Sequence, residues 1–483
     1  MRRVFLIALI FVLPVLPVTA QEPLSLSGAI DAALTQNRDL ARLALALESA
    51  LLSREGAEAD FAVTVKPGGS VNRNDDRTSY NYGVEAIRKF SWGTDLSLGG
   101  SIEDAGIEGS DVSKRDSVRV QVSQPLFRYA GPLVNLDKLV SAQSQVAAAR
   151  RNVELKKTDL VLQVVETYLD ILRLERQLEA EKKSLERSDG LLRLTRAREA
   201  QGRVSRVDTL RVELQRGQAE GRVASTQERL SAARLDFSEL IGGDVQAVYT
   251  FEPVPDLVLE PPSAEDGVRI ALSNRLDYAQ VLQDYRDAER GVSVSRRFLL
   301  PDIRVVSRYE KFGEGATGSE ASDLSEDQWF VGLQATTDLP MRQERISYKQ
   351  SVVSEQRARE DVDISEVFVR RQVQQQLLAF DRAKAEVVIA EKNLDAAASR
   401  VRLARRLFEV GRSDNFSVTD AEDAFRTAEN AFFSARAEAS AAAYRLLRAL
   451  GSLIEYPEDL KPKPLQAESL AMTESFAAES SGE

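Results

Sequence analysis

Residues 164–192 read VVETYLDILRLERQLEAEKKSLERSDGLL, and residues 373–401 read VQQQLLAFDRAKAEVVIAEKNLDAAASRV. In the first stretch Val164, Ile171, Leu178, Leu185 and Leu192 recur every seven residues. In the second, 209 residues later, Val373, Phe380, Val387, Leu394 and Val401 do the same. An apolar residue every seventh position is the seam of a helix that packs along another helix. These ten positions in one register exceed what chance supplies, so the chain is an internal duplication. The same offset relates Gly202 to Gly411 and Ile241-Gly242 to Leu450-Gly451. Upstream, the run from Ala33 to Leu40 resembles the run from Ala271 to Tyr278 at an offset of 238, and Gln124-Pro125 parallels Leu339-Pro340 at 215.

Each half therefore predicts one order: helix, strands, very long helix, tight turn, shorter helix. Leu133 to Arg198 holds no proline and only Gly190 as an interior glycine. As one helix it would reach roughly 100 Å, at about 1.5 Å per residue. Ile346 to Val410 matches it in the second half. The chain then returns as Val207–Ile241 or Phe416–Leu450, and the second return spaces Val418, Ala421, Phe425, Ala428, Phe432, Ala435, Ala439, Ala442 and Leu446 by threes and fours. A solitary antiparallel coiled coil accounts for these helices equally well, but not for what lies between them.

Between them are alternating stretches. Ile303, Val305, Ser307 and Tyr309 alternate with Arg304, Val306, Arg308 and Glu310; Trp329, Val331, Leu333 and Ala335 alternate with Phe330, Gly332, Gln334 and Thr336. Val118, Val120 and Val122 alternate with Arg119, Gln121 and Ser123 in the first half. Strands of about ten residues with one apolar face suit a transmembrane barrel, and they also suit a solvent-facing hairpin. Gly313–Asp327, rich in Gly, Ser, Asp and Glu, is predicted to be a loop. Ala33 to Pro125 exceeds Ala271 to Pro340 by 23 residues, enough for one more hairpin, Tyr82–Phe90 with Thr94–Ile102 about Ser91-Trp92-Gly93.

Composition narrows the chemistry. The chain of 483 residues has no histidine and no cysteine, which excludes Ser-His-Asp and Cys-His catalysis and metal or haem sites built on those ligands. No cofactor is expected. A carboxylate-only hydrolase remains formally open. With 64 basic and 75 acidic side chains the net charge is −11, which argues against a nucleic-acid partner. Met1-Arg2-Arg3, the apolar run Val4–Val18 and Val18-Thr19-Ala20 predict a secretory signal peptide over residues 1–20; an uncleaved anchor is the alternative, weakened by Pro14 and Pro17. Beyond it no stretch approaches 18 apolar residues, so membrane entry would require strands closed into a barrel.

Leu26-Ser27-Gly28-Ala29-Ile30 leading to Ala33-Leu34 and Asn37, then Ser123-Gln124-Pro125-Leu126-Phe127, then Gln201-Gly202-Arg203-Val204 with Asp208 and Val410-Gly411-Arg412-Ser413 with Asn415-Phe416, follow in an order that resembles the TolC-like outer membrane factors. The resemblance runs from about Leu24 to Gly451. It implies a mainly α fold with β: a duplicated helix–strands–long helix–helix unit, trimeric, its outer-membrane β-barrel continued by a long periplasmic α-helical barrel. Each chain would give four strands. The implied domains are a first repeat over 21–245 with strands about 63–123, a linker over 246–262, a second repeat over 263–455 with strands about 302–339, and an acidic tail over 456–483.

The implied function is passive export in a tripartite efflux pump or type I secretion system. Its partners would be a periplasmic adaptor, an inner-membrane transporter and the lipid of a Gram-negative outer membrane. The cargo (drug, metal or protein) would be chosen by the transporter. A soluble periplasmic coiled-coil adaptor or scaffold is the rival, though it has no use for amphipathic strands in both halves. The resemblance places adaptor contact at the tips, Gly202, Arg203, Val204, Ser205, Gly411, Arg412 and Ser413. It places the periplasmic aperture near Asp208, Asp420, Ser417 and Arg412. Only Asp208 and Asp420 keep the carboxylate there, while Ser417 departs from it. The tyrosine and arginine that latch the family's entrance correspond to Phe408 and Ser413, with Arg412 adjacent as a substitute. Each tip glycine is also a plain helix cap, and each aspartate can act on a helix dipole.

Overall fold

A computed structural model describes residues 24–74, 77–105, 114–244, 249–255, 259–337, 339–410, 412–413, 415–463 and 465. The expected signal peptide, the tail beyond residue 465 and Gly411 lie outside the described residues. The elements are α1 (Leu26–Gln36), α2 (Arg38–Ala59), β1 (Thr64–Asn74), β2 (Arg77–Lys89), β3 (Asp95–Asp104), β4 (Lys114–Pro125), α3 (Pro132–Asn135), α4 (Asp137–Ala200) and α5 (Arg206–Leu240). They continue as α6 (Ala264–Asn274), α7 (Leu276–Arg297), β5 (Asp302–Gly315), α8 (Gly318–Ala321), β6 (Glu326–Thr336), α9 (Arg342–Glu409) and α10 (Asn415–Ala449).

Helix lengths repeat between the halves. α1 and α6 each have 11 residues, α2 and α7 each 22, and α5 and α10 each 35. The corners repeat as well. Asn37 and Arg275 are both extended, and each breaks the run between two helices. The Asn37 amide donates to the carbonyl of Leu240 at 2.9 Å, and the Arg275 guanidinium to that of Ala449 at 3.4 Å, so each corner satisfies the last turn of its own return helix. Gly242 and Gly451 follow those ends with φ of +70° and +68°. A Cβ on Gly242 would lie 2.5 Å from the Gln36 carbonyl oxygen, so that turn requires glycine for space as well as for conformation.

Two compact units are distinguished. One comprises residues to 37, 160–258 and 383–441. Its core joins Ala29, Ala33, Val164, Tyr168, Ile171 and Leu178 to Leu230, Phe237 and Ile241, so the heptad seam is what it buries. Tyr168 is fully buried, with its hydroxyl 2.8 and 2.9 Å from the carbonyl oxygens of Leu24 and Glu252. Its ring and that of Phe237 meet Phe251 edge-on.

The other unit comprises residues 38–159, 259–382 and 442 onward, and holds the sheet. All neighbouring strands are antiparallel, in the order β1-β2-β3-β4-β5-β6. The sheet thus has two strands more than the four that the resemblance implies for the barrel, and the additional first-half hairpin expected at Tyr82–Phe90 and Thr94–Ile102 is β2 paired with β3. The longer first half supplies the difference, because Phe90-Ser91-Trp92-Gly93-Thr94 turns tightly enough for β2 to pair fully on both sides. Phe90 N–H donates to Thr94 O at 2.8 Å, and Gly93 has φ +90°. The segment expected as a loop between β5 and β6 begins as strand, to Gly315, and contains α8, closed by a capping box of Thr317 and Glu320.

Candidate functional site

The ladder registers place Val118, Val120 and Val122 of β4 beside Leu96, Leu98 and Gly100 of β3, and these beside Val84, Ala86 and Arg88 of β2. The same face carries Val65, Pro67, Gly69 and Val71 on β1, Ile303, Val305 and Tyr309 on β5, and Trp329, Val331, Leu333 and Ala335 on β6. One largely apolar face, interrupted by Arg88, Ser307 and Lys311, thus crosses all six strands. Its apolar members are exposed: Trp329 and Leu333 are each 74% exposed and Val71 is 61% exposed. A contiguous apolar surface of this extent has no place against water. Tyr80, Tyr82 and Trp329 sit in the strand halves nearer the β1–β2 and β5–β6 connections, as an interfacial aromatic girdle requires.

The opposite face is polar. Glu310, nearly buried, accepts from Arg119 at 3.4 Å and lies 3.5 Å from Arg115, which also reaches Glu314 at 3.1 Å. Arg308 donates to Gln121 at 3.1 Å, and Ser101 meets Ser117 at 2.9 Å. Cross-strand ion pairs of this kind suit a wetted wall. Strands of 10 to 14 residues are long enough to cross the apolar core of a bilayer when tilted. No described helix is long and apolar enough to do so.

The helical tips are built by one turn used twice. Arg203 N–H donates to Arg198 O at 2.9 Å and Arg412 N–H to Leu407 O at 2.8 Å, at the 209-residue offset. Gly202, with φ +69° and nothing near its absent Cβ, supplies the left-handed residue in the first. Gly202, Arg203, Ser205 and Arg412 are exposed, Val204 and Ser413 half-buried.

The aperture candidates divide. Asp208 stands in the first turn of α5, where Ser205 Oγ accepts its N–H at 3.3 Å and donates to its carboxylate at 2.7 Å. That is a helix cap, strengthened by the dipole. Asp420 lies beyond the first turn of α10 and is held by the guanidinium of Arg400 on α9. It borders an open groove of about 560 Å³, with Glu386, Asp423, Ala424 and Ala428. Ser417 is half-buried near the start of α10.

Other side chains join the helices, and sequence spacing does not reveal them. Arg198 lies over the ring of Phe408 at 4.2 Å, so Phe408, which the resemblance alone would set at a latch, is covered within its own chain. Glu422 accepts from Arg187 and from Arg405, each Nε at 2.8 Å. Glu181, almost wholly buried, takes Arg222 and Asn430 at 3.2 Å. A carboxylate deep in an apolar seam is the one local signal that could have drawn attention to Glu181. No group of acidic residues among those described could hold a metal.

With this geometry in place, the sequence matches the family of outer membrane efflux proteins over residues 29–243 and 267–452. The chain belongs to the outer membrane efflux protein family. It is an outer-membrane efflux channel reaching into the periplasm, and not an enzyme. The outer membrane efflux protein BepC of Brucella suis biovar 1 (strain 1330) is 21% identical over 374 residues, which are 76% of this chain and 79% of that protein. The outer-membrane channel OprN superposes with a TM-score of 0.70 at 16% identity, over 88% of this chain and 90% of its own. The CmeC outer membrane channel of Campylobacter jejuni does so with 0.70 at 13% identity, over 90% and 87%. At these identities the structures speak for the fold. Family membership disfavours a soluble adaptor.

Proposed function

We propose that three copies of this efflux protein close their sheets into one shared barrel in the outer membrane, with the long helices lining a passage through the periplasm. The single observation that carries the proposal is the six-stranded sheet with an exposed apolar face and two open edges. Open edges in lipid leave backbone groups without partners at several kcal/mol each, and closure across copies removes them. The channel performs no chemistry. It conducts what an inner-membrane transporter delivers through a periplasmic adaptor, in a tripartite pump or type I secretion system.

The tips at Gly202–Ser205 and at Gly411, Arg412 and Ser413 form the adaptor contact in this proposal, and Asp420 with Arg400 sets the charge at the entrance. A signal peptide over residues 1–20 directs the chain out of the cytoplasm. The test is membrane fractionation followed by planar-bilayer recording of the purified protein. The expected outcome is a detergent-soluble trimer from the outer membrane that gives discrete conductance steps. A monomer confined to the soluble periplasmic fraction, without conductance, would sink it.

A further inference from the structure

We infer that the membrane wall of the assembled channel has eighteen strands, six from each of three chains, sealed by pairing the β6 edge of one copy with the β1 edge of the next. This rests on the trimer proposed above. The alternative leaves β1 and β2 outside the wall and closes twelve strands by joining β6 to a neighbour's β3.

Four observations favour the larger ring. β1 and β2 carry the same apolar face as the other strands and on the same side, so excluding them would bare that face to water. β2 pairs along β3 from Tyr80↔Asp104 to Lys89↔Asp95, and a twelve-stranded closure must break that whole ladder. β1 (Thr64–Asn74) and β6 (Glu326–Thr336) are both 11 residues long. Laid end to end and antiparallel, they put Val65 opposite Ala335 and Val71 opposite Trp329, so both apolar faces stay outward. The same register sets Arg73 opposite Asp327, and opposite charges placed so attract. Pro67 removes one donor from the β1 edge, at the cost of no more than one ladder bond, and blunts it against indiscriminate pairing.

Closure geometry supplies an independent check. Passing across the partners Thr64, Ile87, Ser97, Gln121, Arg308 and Phe330, the proposed register arrives at Ser70 of the next copy. That is a stagger of six residues over six strands. One residue of rise (about 3.4 Å) per strand spacing (about 4.7 Å) gives a tilt of about 35°, within the range of closed barrels. A register two residues shorter would give about 26°, too upright for such a wall. Because diameter grows roughly linearly with strand number, the eighteen-stranded mouth is about one and a half times as wide as a twelve-stranded one.

The chain has no cysteine, so introduced pairs report alone. The double variant Val65→Cys with Ala335→Cys, oxidised in outer membranes, should run as a ladder of disulfide-linked dimer and trimer on non-reducing gels. Leu96→Cys with Ala335→Cys, which reports β3–β6 contact, should stay monomeric. Cross-linking of the second pair and not the first would establish twelve-stranded closure and overturn the inference. So would a trimer in which neither pair links, or an internal disulfide within one chain for the first pair. Wild-type protein sized in detergent separates the two proposals: a monomer there overturns the trimer and the eighteen strands together.

Discussion

At the scale of single residues, the duplication is recorded in corners as much as in seams. Arg275 and Asn37 perform the same task with different chemistry, and the arginine does more. Its guanidinium is buried, holds Asp277 through two hydrogen bonds at 3.0 and 2.5 Å, and reaches Gln372 at 2.6 Å. Burial opposes ionisation of Asp277, yet the Arg275 contacts and the N–H of Tyr278 outweigh it and hold the carboxyl below its ordinary value. A depressed folded-state pKa means that the contribution is present above the unfolded value and lost as pH falls below about 4. Asp277→Asn should therefore lower stability by about 1 kcal/mol at neutral pH, allowing for partial exposure of the carboxylate. Thermal melts of wild type and variant should converge as pH drops from 4 toward 2; a constant difference would refute the linkage. The offset between Asn37 and Arg275 was legible in the sequence. Their capping of the return helices was not, because it depends on how helices distant in sequence are packed.

At the scale of elements, the long helices were legible because a seven-residue repeat depends only on positions along one helix. β4, β5 and β6 were legible for the same reason, at period two, whereas the hairpin of β2 and β3 was legible only from the greater length of the first half. β1 was the weak signal: Gly68-Gly69 and Pro67 interrupt its alternation, and only the ladder to β2 places its face. Interhelical ion pairs were hidden more deeply, since the rotation of each helix decides which charges meet. Glu181 of α4 shows the consequence. It bonds Arg222 of α5 and Asn430 of α10, and Arg426 of α10 lies 3.7 Å away. Removing one member of a buried pair leaves the other charge uncompensated, which costs about 3–5 kcal/mol in buried settings. Here both arginines keep some access to water, so Glu181→Ala should cost about 3 kcal/mol, near the lower bound of that range. Glu181→Gln, which keeps the shape and the acceptor oxygen, should cost less. Denaturant titration of the detergent-solubilised protein orders the two, and equal losses would assign the effect to cavity formation instead.

At the scale of the whole molecule, missing histidine and cysteine, an acidic balance and an open amphipathic sheet fit a conduit better than a catalyst. In the proposed trimer, charge at the entrance becomes a property of the assembly, since three copies would bring any entrance residue together three times. Asp420 alone would make a threefold anionic ring that draws cations. Arg400 beside it cancels much of that field within each chain, so the wild-type entrance should discriminate weakly. Arg400→Ala should raise the cation-to-anion permeability ratio by about two-fold or more at low salt, and Asp420→Ala should lower it. The double variant should return toward wild type, because it removes both signs together. At about 0.1 M salt the screening length is about 10 Å and the differences should be plain, whereas at about 1 M it is about 3 Å and they should shrink. Reversal potentials across a salt gradient measure the ratio directly. If all four proteins reverse at the same voltage, the Asp420–Arg400 pair lies away from the conducting path, and the entrance must be sought elsewhere along α9 and α10.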